Sequence, residues 1–131
     1  MTRHMANESI LVVDDQPMTI RIIQTILAAE GYQVRVAVNA TEALQAVQSS
    51  EPDLILMDIH LPGLDGLALT KLLRSNPELR HLKIIAISAY DLTENDKRIT
   101  GSGCDGFIPK PINTRALANS IREYLDRDSL S

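Results

Sequence analysis

The chain has 131 residues, of which 44% are hydrophobic and 23% charged, a composition typical of one globular domain rather than of a disordered or fibrous chain. Its 13 basic and 17 acidic side chains give a net charge of −4, and aromatic residues make up only 3%, so we expect no direct nucleic-acid binding. No uninterrupted apolar run exceeds four residues, which predicts no membrane insertion.

Along the chain, short apolar runs alternate with segments of helical periodicity. Strands are predicted at residues 10–13, 33–37, 54–57, 84–87 and 105–108. The first, third and fourth of these runs lack polar alternation, which is typical of strands buried on both faces. Helix-period residues lie between and after the strands, among them Leu69, Leu72, Leu73, Leu117, Ile121 and Tyr124. Five β-α repeats predict an α/β protein with a parallel sheet of order 2-1-3-4-5 covered by helices.

Several residues indicate where the helices begin and end. Asn39 is a candidate N-cap with Glu42 three residues later, and Gly31 follows the first helix where a left-handed residue is favoured. Asn113 suits the start of the last helix. The fourth helix, predicted at residues 93–100, has few apolar anchors, and we expect it to be the least stable.

Polar residues follow the strands at their carboxyl ends, where parallel sheets place their binding sites. Asp14 and Asp15 follow the first strand, Asp58 the third, Ser88 the fourth and Lys110 the fifth. Three neighbouring carboxylates would repel one another unless a hard divalent cation with oxygen ligands lay among them. The pattern therefore predicts a Mg²⁺ site, with Mn²⁺ as the alternative ion.

The same residues suit phosphoryl transfer. A cation and the ammonium of Lys110 would neutralise an incoming phosphoryl group, and Asp58 supplies an oxygen nucleophile. Ser88 can donate a hydrogen bond to a phosphoryl oxygen. Taken singly each residue has a structural explanation, such as a helix cap or a turn, so it is the combination that predicts the chemistry.

The combination resembles the receiver domains of bacterial response regulators. The motifs are Asp14-Asp15, the segment from Asp58 through Gly63, Asp65-Gly66, Ser88-Ala89 and Lys110-Pro111. The resemblance covers residues 9–126 and implies a flavodoxin-like (βα)5 three-layer sandwich, with residues 1–131 forming a single receiver domain. The chain is similar in length to single-domain regulators of chemotaxis and cell-cycle type, and hybrid-kinase receivers are similar too. The sequence leaves the pathway, and a stand-alone or excised origin, open.

The resemblance also implies a role for each residue of the site. Asp58 would be the phospho-acceptor, and Asp14, Asp15, Asp58 and the backbone carbonyl of His60 would hold the metal. Lys110 would pair with the phosphoryl group.

Further roles concern switching and the lifetime of the phosphorylated state. Ser88 and Phe107 would be the switch pair, and His60 and Tyr90 would tune self-dephosphorylation. The peptide bond between Lys110 and Pro111 is expected to be cis.

The expected function is that of a signalling switch rather than of a metabolic enzyme. The phosphoryl group would come from a sensor histidine kinase or a histidine phosphotransfer protein, and the face of the fourth helix, fifth strand and last helix would bind a downstream protein. We expect a cytoplasmic protein, because Cys104 is the only cysteine, and a monomer or a phosphorylation-dependent dimer.

Two other functions, one an enzyme and one a cofactor carrier, share parts of this pattern. A small Mg²⁺-dependent phosphatase resembling the haloacid dehalogenase superfamily would also use an Asp nucleophile, but Asp58-Ile59-His60 lacks the second carboxylate that protonates the leaving group. A flavodoxin-like flavin carrier needs small residues where Asp15-Gln16-Pro17 stands. Gly101 to Gly106 matches G-x-G-x-x-G, but a predicted helix precedes it and a strand follows, the reverse of a dinucleotide-binding turn.

Overall fold

The computed structural model of the protein describes residues 7–61, 63, 65–88, 101 and 103–127. The strands are β1 (Ser9–Val13), β2 (Gln33–Ala37), β3 (Leu54–Asp58), β4 (Lys83–Ser88) and β5 (Gly106–Pro109). The helices are α1 (Pro17–Ala29), α2 (Ala40–Ser49), α3 (Gly66–Arg74) and α4 (Leu117–Asp126), with a short 3-10 helix at Pro77–Leu79. Every strand boundary lies within one residue of its prediction. The helix predicted at residues 93–100 lies outside the described residues.

The five strands form one parallel sheet in the order β2-β1-β3-β4-β5, which confirms the predicted topology. Because β1 lies between β2 and β3, the chain reverses its direction of progress across the sheet after β2. The register pairs Val13 with Met57, Asp58 with Ile87 and Ser88 with Pro109. The carboxyl ends of β1, β3, β4 and β5 therefore meet at one edge of the sheet.

The core has two halves, one on each face of the sheet. Alternate residues of a strand point to opposite faces, so the uninterrupted apolar runs supply both halves. One half packs against α1 and α4 and contains the strand residues Ile10, Val12, Leu54, Leu56, Ile85 and Ile87. The other packs against α2 and α3 and contains Leu11, Val13, Ile55, Met57 and Ile84. This is the predicted three-layer arrangement.

Two helix boundaries follow the predicted chemistry. Asn39 caps α2 by accepting a hydrogen bond from the backbone N–H of Glu42 at 2.8 Å, and the Glu42 side chain accepts one from the N–H of Val38 at 3.0 Å. Gly31, which follows α1, has a φ of 96°, where a Cβ would be strained.

Asn113 makes the predicted capping contacts, although the regular part of the last helix begins later than predicted. Its Oδ1 accepts from the backbone N–H groups of Arg115 and Ala116, at 3.1 and 3.2 Å. Its carbonyl accepts from the N–H of Leu117 at 3.1 Å, so the capped turn leads directly into α4. The structure begins α4 at Leu117, three residues later than a cap at Asn113 predicts.

Leu72 shares the helical periodicity of Leu69 and Leu73, but its side chain is 48% exposed while theirs are buried. The buried face of α3 also includes Gly66 and Thr70. At 100° per residue these four positions define an arc centred between Leu69 and Thr70, and Leu72 falls outside it.

The glycines near residue 103 do not form a dinucleotide-binding turn. Gly103 has a φ of 96°, and Gly106 is the first residue of β5, so a strand rather than a helix follows them. Within the described ranges, no helix is long and apolar enough to cross a membrane.

Candidate functional site

Three carboxylates converge at the carboxyl edge of the sheet. Asp14 and Asp15 follow β1, and Asp58 is the last residue of β3. One oxygen from each carboxylate lies within 4.8 Å of the others. Asp14 and Asp58 are buried, with 0% and 2% of their surface exposed, whereas Asp15 is exposed. The group therefore has a buried floor and an open side.

Lys110, which follows β5, brings a positive charge to this cluster. Its Nζ lies 3.2 Å from Asp14 Oδ2 and 3.6 Å from Asp58 Oδ2. The same ammonium donates a hydrogen bond to Gln16 Oε1 at 3.2 Å. With 11% of its side chain exposed, Lys110 is held in the site rather than extended into solvent.

Burial dominates the electrostatics of Asp14. Loss of hydration raises the pKa of this carboxyl above its usual value, and the neighbouring charge of Asp58 raises it further. The N–H of Gln16, which donates to Asp14 Oδ1 at 2.9 Å, and the charge of Lys110 both act against that rise in pKa. Apart from the ion pair with Lys110, Asp14 Oδ2 accepts no hydrogen bond from the described residues.

The cluster of three carboxylates, from Asp14, Asp15 and Asp58, fits a hard divalent cation. The ligand atoms present are oxygens of three acidic side chains, the type that Mg²⁺ prefers. A buried carboxylate oxygen without a hydrogen bond is costly, and a bound cation would satisfy Asp14 Oδ2. Asp14, Asp15 and Asp58 are thus the residues that would hold the ion.

The backbones of His60 and Ser88 join the site to the sheet. The N–H of His60 donates to Asp58 Oδ1 at 3.0 Å, so the segment after β3 orients the carboxylate. Ser88 is fully buried at the end of β4, and its carbonyl accepts a hydrogen bond from the N–H of Lys110 at 2.7 Å. The ends of β4 and β5 are thereby tied together beside Asp58.

The remaining predictions concern Phe107, the peptide bond before Pro111, and Tyr90. Phe107 is half-buried on β5 and packs with Ile59 and Ala86. The peptide bond between Lys110 and Pro111 is cis. Tyr90 lies outside the described residues.

Sequence reasoning missed the part that Gln16 plays in the site. Gln16 is 94 residues away from Lys110 in the chain, and a glutamine after an acidic pair is unremarkable. Only its position directly after Asp15 could have drawn attention to it.

Gly66 was noted only as part of a motif, and the structure shows why a glycine stands there. The first residue of α3 packs directly on the backbone of the strand end. A Cβ at Gly66 would lie 2.1 Å from the carbonyl oxygen of Asp58, and the Gly66 N–H donates to the carbonyl of Ile59 at 2.9 Å. Any larger residue would displace the segment that carries Asp58.

Comparison with known proteins agrees with this geometry. Residues 10–122 match the model of the response regulator receiver domain. The chain is 36% identical over 118 residues to the polar-differentiation response regulator DivK of Brucella anthropi, covering 90% of this chain and 96% of that protein.

Solved structures show the same similarity. The signal receiver domain of a signal transduction histidine kinase from Syntrophus aciditrophicus is 30% identical, with a TM-score of 0.82 and coverage of 95% of this chain and 97% of that one. A CheY-like response regulator receiver domain protein from Methanospirillum hungatei is 34% identical, with a TM-score of 0.81 and coverage of 92% and 95%. These matches give no support to the phosphatase alternative.

Proposed function

The chain belongs to the response regulator receiver domain family, and from this we propose that it accepts a phosphoryl group on Asp58 and thereby switches its binding to a protein partner. The observation that carries the proposal is the placement of the Lys110 ammonium 3.2 Å from Asp14 and 3.6 Å from Asp58, beside three carboxylates within 4.8 Å. One acidic oxygen can react there while the neighbouring Lys110 ammonium offsets the negative charge of the phosphoryl group.

We propose a phosphohistidine of a sensor histidine kinase or histidine phosphotransfer protein as the donor. An oxygen of Asp58 forms the new P–O bond as the P–N bond of the donor breaks, and the leaving imidazole takes up a proton. The His60 N–H holds Asp58 Oδ1 at 3.0 Å, which limits rotation of the carboxylate. A histidine side chain can approach because Asp15 marks the exposed side of the cluster.

Charge neutralisation is the main contribution of the other site residues. Mg²⁺, or Mn²⁺ in its place, would supply positive charge to the phosphoryl oxygens when held by Asp14, Asp15, Asp58 and the backbone carbonyl of His60. Lys110 would supply a second positive charge, and Ser88 would donate its hydroxyl to a phosphoryl oxygen.

The proposed change in partner binding depends on the connection between the site and β5. Lys110 directly follows β5, and its N–H is bonded to Ser88, so a displacement of either is passed to the strand that carries Phe107. We propose that Ser88 and Phe107 change position together and alter the face formed by β5, α4 and residues 93–100. A downstream protein binds this face, with the chain as a monomer or a phosphorylation-dependent dimer.

Two further parts of the proposal are the lifetime of the phosphorylated state and the cellular location of the protein. His60 and Tyr90, two residues after Asp58 and Ser88, would flank the path of the hydrolytic water and set how long the phosphoryl group remains. A reducing cytoplasm suits a sequence whose one cysteine is Cys104.

Acetyl phosphate with Mg²⁺, followed by intact-mass measurement, tests the phosphoryl transfer. The protein should gain one phosphoryl group, and Asp58→Asn should gain none. Asp53→Asn is the matched control, because Asp53 directly precedes the opposite end of β3 and its side chain accepts the N–H of Ser9, away from the cluster. Full labelling of Asp58→Asn, or no labelling of the unaltered protein, would contradict the proposal.

A further inference from the structure

Gln16 connects the two halves of the site through a single side chain and its own backbone. Its N–H donates to Asp14 Oδ1 at 2.9 Å, and its side-chain Oε1 accepts from Lys110 Nζ at 3.2 Å. The hydroxyl of Thr19, one turn into α1, donates to the same Oε1 at 3.2 Å. Thr19 and Lys110 therefore both donate to the amide oxygen of Gln16, and Lys110 also forms ion pairs with the two buried carboxylates.

We infer that Gln16 is a positioning residue that fixes the resting place of the Lys110 ammonium. The inference deepens the proposed function and rests on it for its biological meaning. An ammonium group has three N–H donors and is most stable when each of them has an acceptor. Here the ammonium donates a hydrogen bond to the amide oxygen of Gln16 at 3.2 Å, and its other near oxygens belong to Asp14 and Asp58, in ion pairs at 3.2 and 3.6 Å.

The chemistry of the third acceptor matters because the amide is neutral. A third carboxylate beside Lys110 would hold the ammonium tightly and compete with any phosphoryl oxygen. The amide satisfies one donor without adding charge, and a phosphoryl group on Asp58 offers a stronger acceptor than the amide does. Gln16 thus holds Lys110 3.6 Å from Asp58 Oδ2 in the resting site and can release it when the phosphoryl group arrives.

The same contact should influence cation binding. Without the amide oxygen, the ammonium would turn its free donor toward the carboxylates that are needed as metal ligands. Lys110 and the cation would then compete for Asp14 and Asp58. We therefore expect loss of the Gln16 acceptor to weaken Mg²⁺ binding by roughly three- to tenfold, in keeping with the small net value of one hydrogen bond.

Two variants separate this role from general packing. Gln16→Met keeps the length of the side chain and removes the acceptor, and Thr19→Val keeps the shape of Thr19 and removes the hydroxyl that orients the amide. Gln48→Met, at an exposed position of α2, is the control for the chemical change. Circular dichroism establishes that each variant is folded before any other measurement.

Calorimetric Mg²⁺ titrations measure the predicted weakening. Gln16→Met should bind Mg²⁺ three- to tenfold more weakly than the unaltered protein, Thr19→Val by a smaller factor, and Gln48→Met equally well. In the double variant, Thr19→Val should add nothing to the effect of Gln16→Met, because the hydroxyl acts through the amide. Equal affinities in Gln16→Met and Gln48→Met, or additive effects in the double variant, would overturn the inference.

A metal-free measurement keeps the test independent of phosphorylation. Nitrogen-15 spectra of the lysine ammonium groups should show a slowly exchanging Lys110 signal that shifts or broadens in Gln16→Met and is retained in Gln16→Glu, which keeps an acceptor oxygen. A Lys110 signal in Gln16→Met that superimposes on the original overturns the positioning role, even if Asp58 is phosphorylated normally. Failure of Asp58 to accept a phosphoryl group, with the Lys110 signal altered as expected, overturns the proposed function alone.

Discussion

Replacing Gly66 by alanine tests how closely α3 packs against the strand that ends in Asp58. The added Cβ would lie 2.1 Å from the carbonyl oxygen of Asp58, 2.8 Å from its carbonyl carbon and 3.0 Å from the Cα of Ile59. Side-chain carbons are essentially never found nearer than 3.0 Å to such atoms, so the two backbones must separate by about 1 Å. Because all three atoms belong to the main chain, no side-chain rotation relieves the overlap.

The expected loss of stability follows from two opposing effects. Overpacking of a close contact costs about 1–3 kcal/mol, and a rigid backbone neighbour places Gly66→Ala toward the upper end of that range. The lower backbone entropy of alanine in the unfolded chain returns roughly 0.5–1 kcal/mol. The free energy of unfolding should therefore fall by about 2 kcal/mol.

Urea unfolding followed by far-ultraviolet circular dichroism measures this change. The rate of Asp58 phosphorylation by acetyl phosphate should fall as well, because the displaced carbonyl belongs to Asp58 itself. Gly63→Ala is a matched control: nothing lies within 4 Å of its added Cβ, but a φ of 80° gives a strain of about 1–2 kcal/mol. The control should lose similar stability without slowing phosphorylation.

A Gly66→Ala protein that unfolds within about 0.5 kcal/mol of the original would refute the packing argument. Equal phosphorylation rates in the Gly66 and Gly63 variants would refute the link between this contact and the site.

The other predictions concern the charged groups and the lifetime of the phosphorylated state. Asp15→Ala should weaken Mg²⁺ binding by about tenfold or more and slow phosphorylation, because the open side of the cluster loses a ligand; an unchanged calorimetric affinity would contradict this. Lys110→Ala should still allow some phosphorylation of Asp58 but abolish phosphorylation-dependent partner binding, and a pull-down with full phospho-dependence would exclude its coupling role. Because the pKa of Asp14 is raised, the folded, metal-free protein binds the carboxyl proton of Asp14 more tightly than the unfolded chain does. The contribution of Asp14 to the free energy of unfolding therefore falls as pH rises through the pKa of the folded state. Asp14→Asn should accordingly unfold at higher urea near neutral pH without metal, and the difference should disappear at pH values below the ordinary Asp pKa of 3.8; a stability gain that persists at such low pH would point to another cause. Tyr90→Ala should shorten the half-life of phosphorylated Asp58 by exposing it to water, and an equal or longer half-life would exclude shielding.

Local patterns in the sequence determined the strands and their arrangement. Residues 10–13 and 54–57 are short uninterrupted apolar runs, which are typical of strands covered on both faces, and the crossover rule then limits the sheet to few topologies. The helix-capping role of Asn39 and the left-handed conformation of Gly31 were also predictable, because each depends only on backbone groups within a few residues. The convergence of Asp14, Asp15 and Asp58 followed once the strands were taken as parallel.

Helix faces and the last helix boundary were less predictable. Leu72 fits helical periodicity as well as Leu73 does, and only the packing direction of α3 leaves it 48% exposed. Asn113 makes the contacts of a helix cap, but the turn that it caps precedes the regular helix, which begins at Leu117. Local signals identify residues that can cap or line a helix, but they do not determine which face is buried or at which residue the regular helix begins.

The atomic arrangement of the site was decided by tertiary structure alone. The contact between Gln16 and Lys110 joins residues 94 positions apart, and the overlap that forbids a side chain at Gly66 depends on where α3 meets the end of β3. The raised pKa of Asp14 likewise arises from its complete burial, which the sequence does not display. Composition and periodicity record what a residue prefers near its own position in the chain, whereas distances, burial and third partners arise only when distant segments are packed together.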